Sequence, residues 1–177
     1  MITKSIKDEI KNHFFVNTTN KSRVRQIERE LKLPLPSVIR YTKELVKEEI
    51  LKKENIGGIV LFSANRGSSQ FTIEKKLFNL KQIYCSGLID NFVKEYFNPT
   101  IVLFGSFSKG EDLDDSDIDL YIETPSKKDI NLNRFEKILK RKIQVFKYKN
   151  INQIPNMHLA NNIINGIVLN GFLEVLK

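Results

Sequence analysis

The chain has 177 residues, 41% of them hydrophobic, and a net charge of +8 at pH 7, which fits one ordinary globular domain or two small ones. A single cysteine, Cys85, excludes an internal disulfide framework and suits a reducing cytosol. No apolar run is long enough to span a membrane and no charged-then-apolar leader opens the chain, so a soluble, unprocessed, cytoplasmic protein with no membrane partner is expected.

The first seventy residues read as three helices and a hairpin. "TKSIKDEIKNHFF" carries Ile6, Ile10, Phe14 and Phe15 in a helical stripe. "SRVRQIERELKL" follows, with Ser22 as the expected N-cap and Val24, Ile27 and Leu31 at helical spacing. "PLP" breaks the pattern, and Pro36 suits the first turn of a third helix. That helix, "PSVIRYTKELVKEEI", places Val38, Tyr41 or Thr42, and Leu45 on one side, with Ser37, Arg40, Lys43 and Lys47 near the other. In "ILKKENIGGIVLFSAN", two short apolar stretches flank Gly57-Gly58, a two-stranded hairpin signal.

Residues 1–70 hold 14 Lys+Arg against 8 Asp+Glu, an excess of +6, whereas residues 71–177 hold 15 against 13, an excess of +2. Helix, helix, turn, helix, hairpin is the order of a winged helix-turn-helix, whose third helix enters the major groove of duplex DNA. On that reading Ser37, Arg40, Lys43 and Lys47 face the groove or its phosphates, and Lys52 and Lys53 open the wing. Neutralised phosphates would make binding salt-dependent. The same order of elements also builds dimerisation modules, and basic side chains there can simply solvate the surface.

"ANRGSSQ" is a polar link, and a hinge is expected around residues 65–72. Beyond it, Ile73, Leu77, Leu80, Ile83 or Tyr84, Leu88 and Phe92 recur at helical intervals, as one long helix or as two joined near Ser86-Gly87. "TIVLFG" reads as a buried strand, "DIDLYIE" as an alternating strand, "SKKDINLNRFEKILKR" as a helix and "KIQVFKYK" as a third strand. "NMHLANNIINGIVLNG" reads as a closing helix stopped at Gly171.

The chemistry concentrates in "FGSFSKGEDLDDSDIDLYIE", residues 104–123, with seven acids and no base between Glu111 and Glu123. Gly105 lets the backbone turn tightly after a strand, and Ser106 adds a hydroxyl where free N–H groups favour phosphate. Lys109 can meet a phosphate as a point charge. Asp117 and Asp119, one residue apart on a strand, point to the same face and form a hard-oxygen pair suited to Mg²⁺, while Ile118 and Leu120 face the core. An Asp-x-Asp alone is weak. Preceded at this spacing by a strand and a Gly-Ser turn, it is specific.

The constellation Phe104-Gly105-Ser106 … Asp117-Ile118-Asp119-Leu120 resembles the minimal nucleotidyltransferase family of the DNA polymerase beta superfamily, over about residues 72–177. The N-terminal part resembles the winged-helix domain fused to such proteins in archaea. The expected fold class is α/β (α+β): a winged helix-turn-helix on residues 1–66 and a small mixed-sheet nucleotidyltransferase core on 72–177, its helices mainly on one face. The resemblance implies transfer of a nucleoside monophosphate from a nucleoside triphosphate to an acceptor such as a protein side chain. Catalysis and metal binding would fall to Asp117 and Asp119, with Mg²⁺ or Mn²⁺, and nucleotide binding to Gly105, Ser106 and Lys109. It also implies a helical partner protein of the toxin type, while winged helices suggest a homodimer. Family members usually carry a third carboxylate on a later strand; here Gln144, in Ile143-Gln144-Val145, occupies that place. A glutamine amide cannot act as a general base. Either Glu123 or Asp129 supplies the base, or the domain is a nucleotide sensor in a transcription regulator or an antitoxin-like protein. The remaining residues offer less. His13 and His158 lack partners at functional spacing, Cys85 sits in a core-like pattern, and Ser108, Ser116 and Thr124 read as turn formers.

Overall fold

The computed structural model describes residues 5–175. The chain forms two compact units, residues 1–78 and 79–177. The division falls inside α4 (Ser69–Cys85).

In the first unit α1 (Ile6–Val16) starts at Ser5, whose hydroxyl accepts the Asp8 amide N–H at 3.1 Å, and it buries Ile10, Phe14 and Phe15. α2 (Val24–Leu31) follows, but its N-cap is Arg23. Ser22, expected as that cap, lies in a two-residue strand, β1 (Lys21–Ser22), and is buried opposite Phe62. α3 (Leu35–Lys47) has Pro36 in its first turn, where a missing N–H costs no intrahelical bond. It buries Val38, Thr42 and Leu45, so Thr42 rather than Tyr41 faces inward. The burial is tolerated because the Thr42 hydroxyl donates to the Val38 carbonyl at 2.7 Å.

β2 (Leu51–Ile56) and β3 (Ile59–Ala64) form the hairpin, with Ile56 paired to Ile59. Gly57 and Gly58 both have positive φ, 57° and 80°, as a two-residue turn matched to strand twist requires. The sheet order is β1-β3-β2, all antiparallel. Phe71, from the start of α4, joins this core. One turn further on, Lys75 is fully buried, its Nζ donating at 3.1 Å to the Phe15 carbonyl near the end of α1.

In the second unit the long helical segment is two helices, the end of α4 and α5 (Leu88–Glu95), with Gly87 at φ 74° between them. The buried positions of α4 are Phe71, Lys75, Asn79 and Ile83, whereas Ile73, Leu77 and Tyr84 are exposed. Of the apolar stripe read from the sequence, Ile73 and Leu77 face outward, whereas Leu80 packs against the core and Ile83, Leu88 and Phe92 are buried; Lys75 and Asn79 join the inner face through hydrogen bonds that periodicity does not register. Cys85, expected in the core, is exposed.

β4 (Thr100–Phe104), α6 (Gly105–Lys109), β5 (Ile118–Glu123), α7 (Asn133–Leu139), β6 (Ile143–Tyr148), α8 (Met157–Ile164) and β7 (Ile167–Asn170) complete the chain. The sheet order is β6-β5-β4-β7, with β6 parallel to β5 and the other pairs antiparallel, a mixed α+β architecture. Residues of α4, α5 and α7 pack on one face, where Ile118, Leu120 and Ile122 of β5 are completely buried. Each such side chain contributes about 1.5–3 kcal/mol of transfer free energy and fixes the strand's register. On the other face, α8 and a single 3₁₀ turn at Ile151–Gln153 cover Val102, Phe104 and Tyr121. The closing helix expected from the sequence is therefore only α8, and "IVLN" is an edge strand rather than helix. α7 is likewise shorter than the helix read over residues 126–141. Among the described residues no helix is long and apolar enough to cross a membrane.

Candidate functional site

The second unit's chemistry gathers at the end of β4. The chain leaves Phe104 and turns at Gly105, φ 74°, directly into the five-residue helix α6. Ser108 is buried and its hydroxyl donates to the Gly105 carbonyl at 2.8 Å, so it braces the turn as expected of a turn former. Phe104 pairs with Asp119 across the antiparallel ladder, which brings the Asp119 side chain beside the turn. A Cβ on residue 105 would overlap the Asp119 carboxylate. Glycine is required here twice, by its φ and by this contact.

Asp117 immediately precedes β5 and is exposed, whereas Asp119 is half-buried. Burial, and then the neighbouring Asp117 charge, hold the Asp119 carboxyl above the ordinary carboxylate range. No basic side chain among the described residues pairs with either carboxylate, so their repulsion is unrelieved by the protein. Such a pair of hard oxygens fits a divalent cation such as Mg²⁺, with further ligands coming from water and phosphate. Among the described residues no cluster of three or more His, Cys, Asp or Glu side chains exists that could hold a metal by itself.

On the other side of β5, Gln144 of β6 pairs with Asp119 in the parallel register and is exposed. Register neighbours share a face, so the amide stands next to the two carboxylates. Lys109 lies exposed in the last turn of α6. Ser106, the second residue of α6, is half-buried.

The seven acids of residues 111–123 divide by task. Asp112 is buried: its Oδ1 accepts the Asn79 amide at 2.7 Å, and its Oδ2 lies 3.5 Å from Arg141 Nη2, itself nearly buried. The same Asn79 amide donates to the Phe107 carbonyl at 2.9 Å. Asn79, Asp112 and Arg141 thereby tie α6 to α4 and to the approach to β6. This bracket escaped the sequence reading because its members lie 33 and 29 positions apart in the chain and no local pattern marks them. Glu123 accepts the Tyr121 hydroxyl at 2.8 Å and the Ile151 N–H at 3.1 Å, an arrangement that pushes the Tyr121 phenol upward mainly through burial and then through this bond. Asp129 pairs with Lys147 at 2.6 Å. Both acids weighed as a substitute base are thus engaged elsewhere. Ser116 accepts the Leu113 N–H and Thr124 accepts the Ser126 N–H, as turn formers do.

His13 is largely buried beside Glu30 at 3.4 Å, and burial lowers its pKa against the pull of that carboxylate. His158 is exposed in the first turn of α8.

In the first unit Arg40, Lys43 and Lys47 are exposed along α3 and Ser37 is half-buried near its start. Arg40 lies over the Tyr41 ring, 4.3 Å from its centroid, contacts the Tyr41 hydroxyl and sits 3.7 Å from Glu44. Lys47 lines a cavity with Lys11, Glu48, Glu49 and Glu74, of which Glu48 pairs with Lys7 at 2.5 Å and Glu74 with Lys11 at 2.9 Å. Lys52 and Lys53 are exposed on β2, and Lys52 is 3.2 Å from Glu54.

Residues 87–169 match the family model described as a nucleotidyltransferase domain. This stretch includes the Gly105 turn, both aspartates and Gln144, and the match supports nucleotidyl transfer as the class of chemistry. No curated protein and no solved structure matches the chain.

Proposed function

We propose that the second unit binds a nucleoside triphosphate with Mg²⁺ and transfers the nucleoside monophosphate to an acceptor, and that the first unit is a winged helix-turn-helix that holds the protein on duplex DNA. The observation that carries the transfer reading is the unrelieved Asp117–Asp119 pair set against the Gly105 turn. The bare backbone of Gly105 and the Ser106 hydroxyl bind the phosphates at the end of β4, and Lys109 adds a point charge from the next turn of α6. Asp117 and Asp119 hold the cation on the same face. When bound, Mg²⁺ supplies charge neutralisation on the triphosphate. In the transfer an acceptor hydroxyl oxygen forms a bond to the α-phosphorus and its proton passes to solvent, while the α–β bridging P–O bond breaks and pyrophosphate leaves. Orientation and electrostatics come from β5 and from α6, which the Asn79–Asp112–Arg141 bracket ties to α4.

A second reading rests on Gln144. It neither accepts the acceptor's proton nor adds negative charge, and Glu123 and Asp129 are engaged elsewhere. This favours a protein that binds nucleotide and transfers slowly or not at all, as a nucleotide-responsive DNA-binding regulator or an antitoxin-like partner. A homodimer and a helical toxin-type protein are the associations to look for.

Pyrophosphate release and protein mass shift, measured with each nucleoside triphosphate and Mg²⁺ or Mn²⁺ beside an Asp117→Asn, Asp119→Asn control, test the proposal. Turnover abolished in the control supports transfer. Metal-dependent nucleotide binding without turnover supports the sensor. Absence of any nucleotide binding refutes both.

A further inference from the structure

Of the basic side chains expected to face DNA, Arg40 lies 3.7 Å from Glu44 and Lys52 lies 3.2 Å from Glu54, whereas Lys43, Lys47 and Lys53 are exposed with no ion-pair partner among the described residues. A different surface of the same unit gathers three guanidinium groups in one groove. Arg23, Arg25 and Arg29 line one wall of an open groove of ≈ 590 Å³, and Ile59 and Val60, just after the hairpin turn, line another. The lining contains no carboxylate. All three arginines are exposed, and none has an ion-pair partner among the described residues. Arg25 and Arg29 are four residues apart, hence on one face of α2. Ile59 and Val60 are 38% and 36% exposed, so the groove offers an aliphatic floor beside three guanidinium forks.

The geometry points to this α2–hairpin groove, rather than the α3 lysines, as the main anchor for the phosphodiester backbone of duplex DNA. The inference rests on the DNA-binding reading of the first unit. Guanidinium forks match phosphate oxygens in pairs and are less strongly hydrated than ammonium groups, so three unpaired arginines lining one groove hold a phosphate strand better than the separate lysines of α3 and the wing. The aliphatic residues carry no charge that would repel a sugar–phosphate strand lying across them. Backbone contacts of this kind set position and salt dependence and carry no sequence information.

The test is fluorescence anisotropy of the full chain with a labelled mixed-sequence duplex over a salt series. The samples are the wild type, Arg25→Gln/Arg29→Gln, Arg25→Lys/Arg29→Lys and Arg40→Gln/Lys43→Gln. Loss of two phosphate contacts should flatten the slope of log K against log salt by about 2 and weaken binding at least tenfold in Arg25→Gln/Arg29→Gln, with a smaller loss in the lysine variant. The α3 variant should lose less. If Arg25→Gln/Arg29→Gln binds as the wild type does, the groove is not the anchor, although the DNA-binding reading stands. If the wild type shows no salt-dependent binding, that reading itself falls, and this inference with it. Displacement of the duplex by poly-glutamate as readily as by unlabelled duplex would reassign the groove to an acidic protein segment. Circular dichroism and melting of each variant separate lost contacts from lost folding.

Discussion

The carboxylate of Asp119 rests against the Cα of Gly105, in the space where any other residue at 105 would carry its Cβ. The Gly105 turn and the Asp119 carboxylate are therefore in direct contact, and what alters one displaces the other. Gly87 has the same φ, 74°, with nothing within 4 Å of its notional Cβ. The two glycines separate backbone strain from site geometry.

Gly105→Ala and Gly87→Ala should each lose about 1–2 kcal/mol from the left-handed backbone. Only Gly105→Ala should also lose metal-dependent nucleotide binding, because Asp119 must move. Thermal melts paired with nucleotide titrations check this. Equal retention of binding in both variants would mean that the Gly105–Asp119 contact is not part of the site.

Asp119 should be costly to the empty fold. Its folded pKa is raised above the ordinary 3.8 by burial and then by Asp117. Between the ordinary and the raised value the folded chain holds the proton that the unfolded chain has released. Stability therefore falls as pH rises through that window and stays at its lower level above it. Asp119→Asn should melt higher than the wild type at neutral pH without metal, lack that acidic-range slope, and fail to bind nucleotide with Mg²⁺. A variant less stable than the wild type at neutral pH would show that the carboxylate is supported by the fold rather than strained by it.

The elements around this contact were largely readable because each carries its own period or its own special residue. β4 is a short unbroken apolar run, β5 alternates, and Gly57-Gly58 and Gly105 sit where positive φ is needed. The placing of Gln144 opposite the aspartates agrees with the observed register. What failed was decided at long range. "IVLN" has the composition of either a helix end or a strand, and it is a strand because Gly166 lets the chain approach β4: a Cβ there would lie 2.6 Å from the Leu103 carbonyl oxygen. Ser22 looks like a cap but is claimed by a strand partner, Phe62, forty residues away. Lys75 and Asn79 are polar by type and buried by partnership, so the inner face of α4 runs through Phe71, Lys75, Asn79 and Ile83 and leaves Ile73 and Leu77 outside it.

The bracket beneath the site should matter more to folding than its position in an acidic loop suggests. Asp112 is 1% exposed and faces Arg141 at 8%. Removing one member of a buried ion pair strands the other, at a cost of about 3–5 kcal/mol. Asp112→Ala should therefore melt far below the wild type, while Asp115→Ala, on an exposed neighbour, should shift it little. Asn79→Ala should lose the two bonds that hold Phe107 and Asp112, and so loosen α6. Weaker nucleotide binding at a temperature where Asn79→Ala remains folded is the expected outcome. Unchanged affinity there would reduce the bracket to a purely structural role.

Gln144 decides between the two functional readings. It is the register neighbour of Asp119 on the parallel strand, exposed, and without charge. A carboxylate at that position would stand beside Asp119 and could take the acceptor's proton, which a glutamine amide cannot do. General-base assistance contributes about 10²–10⁴-fold to a rate. Gln144→Asp should therefore raise pyrophosphate release by about 10²-fold over the wild type with Mg²⁺, with Asp117→Asn abolishing the gain. It should also bind the divalent ion more tightly, since a third negative charge joins two that already repel each other. An increase on that scale identifies the natural protein as a weakened enzyme or a sensor derived from one. Unchanged or lower turnover in Gln144→Asp, alongside measurable wild-type turnover, would show that the chain transfers without a base at 144, and that the acceptor's proton leaves by another route.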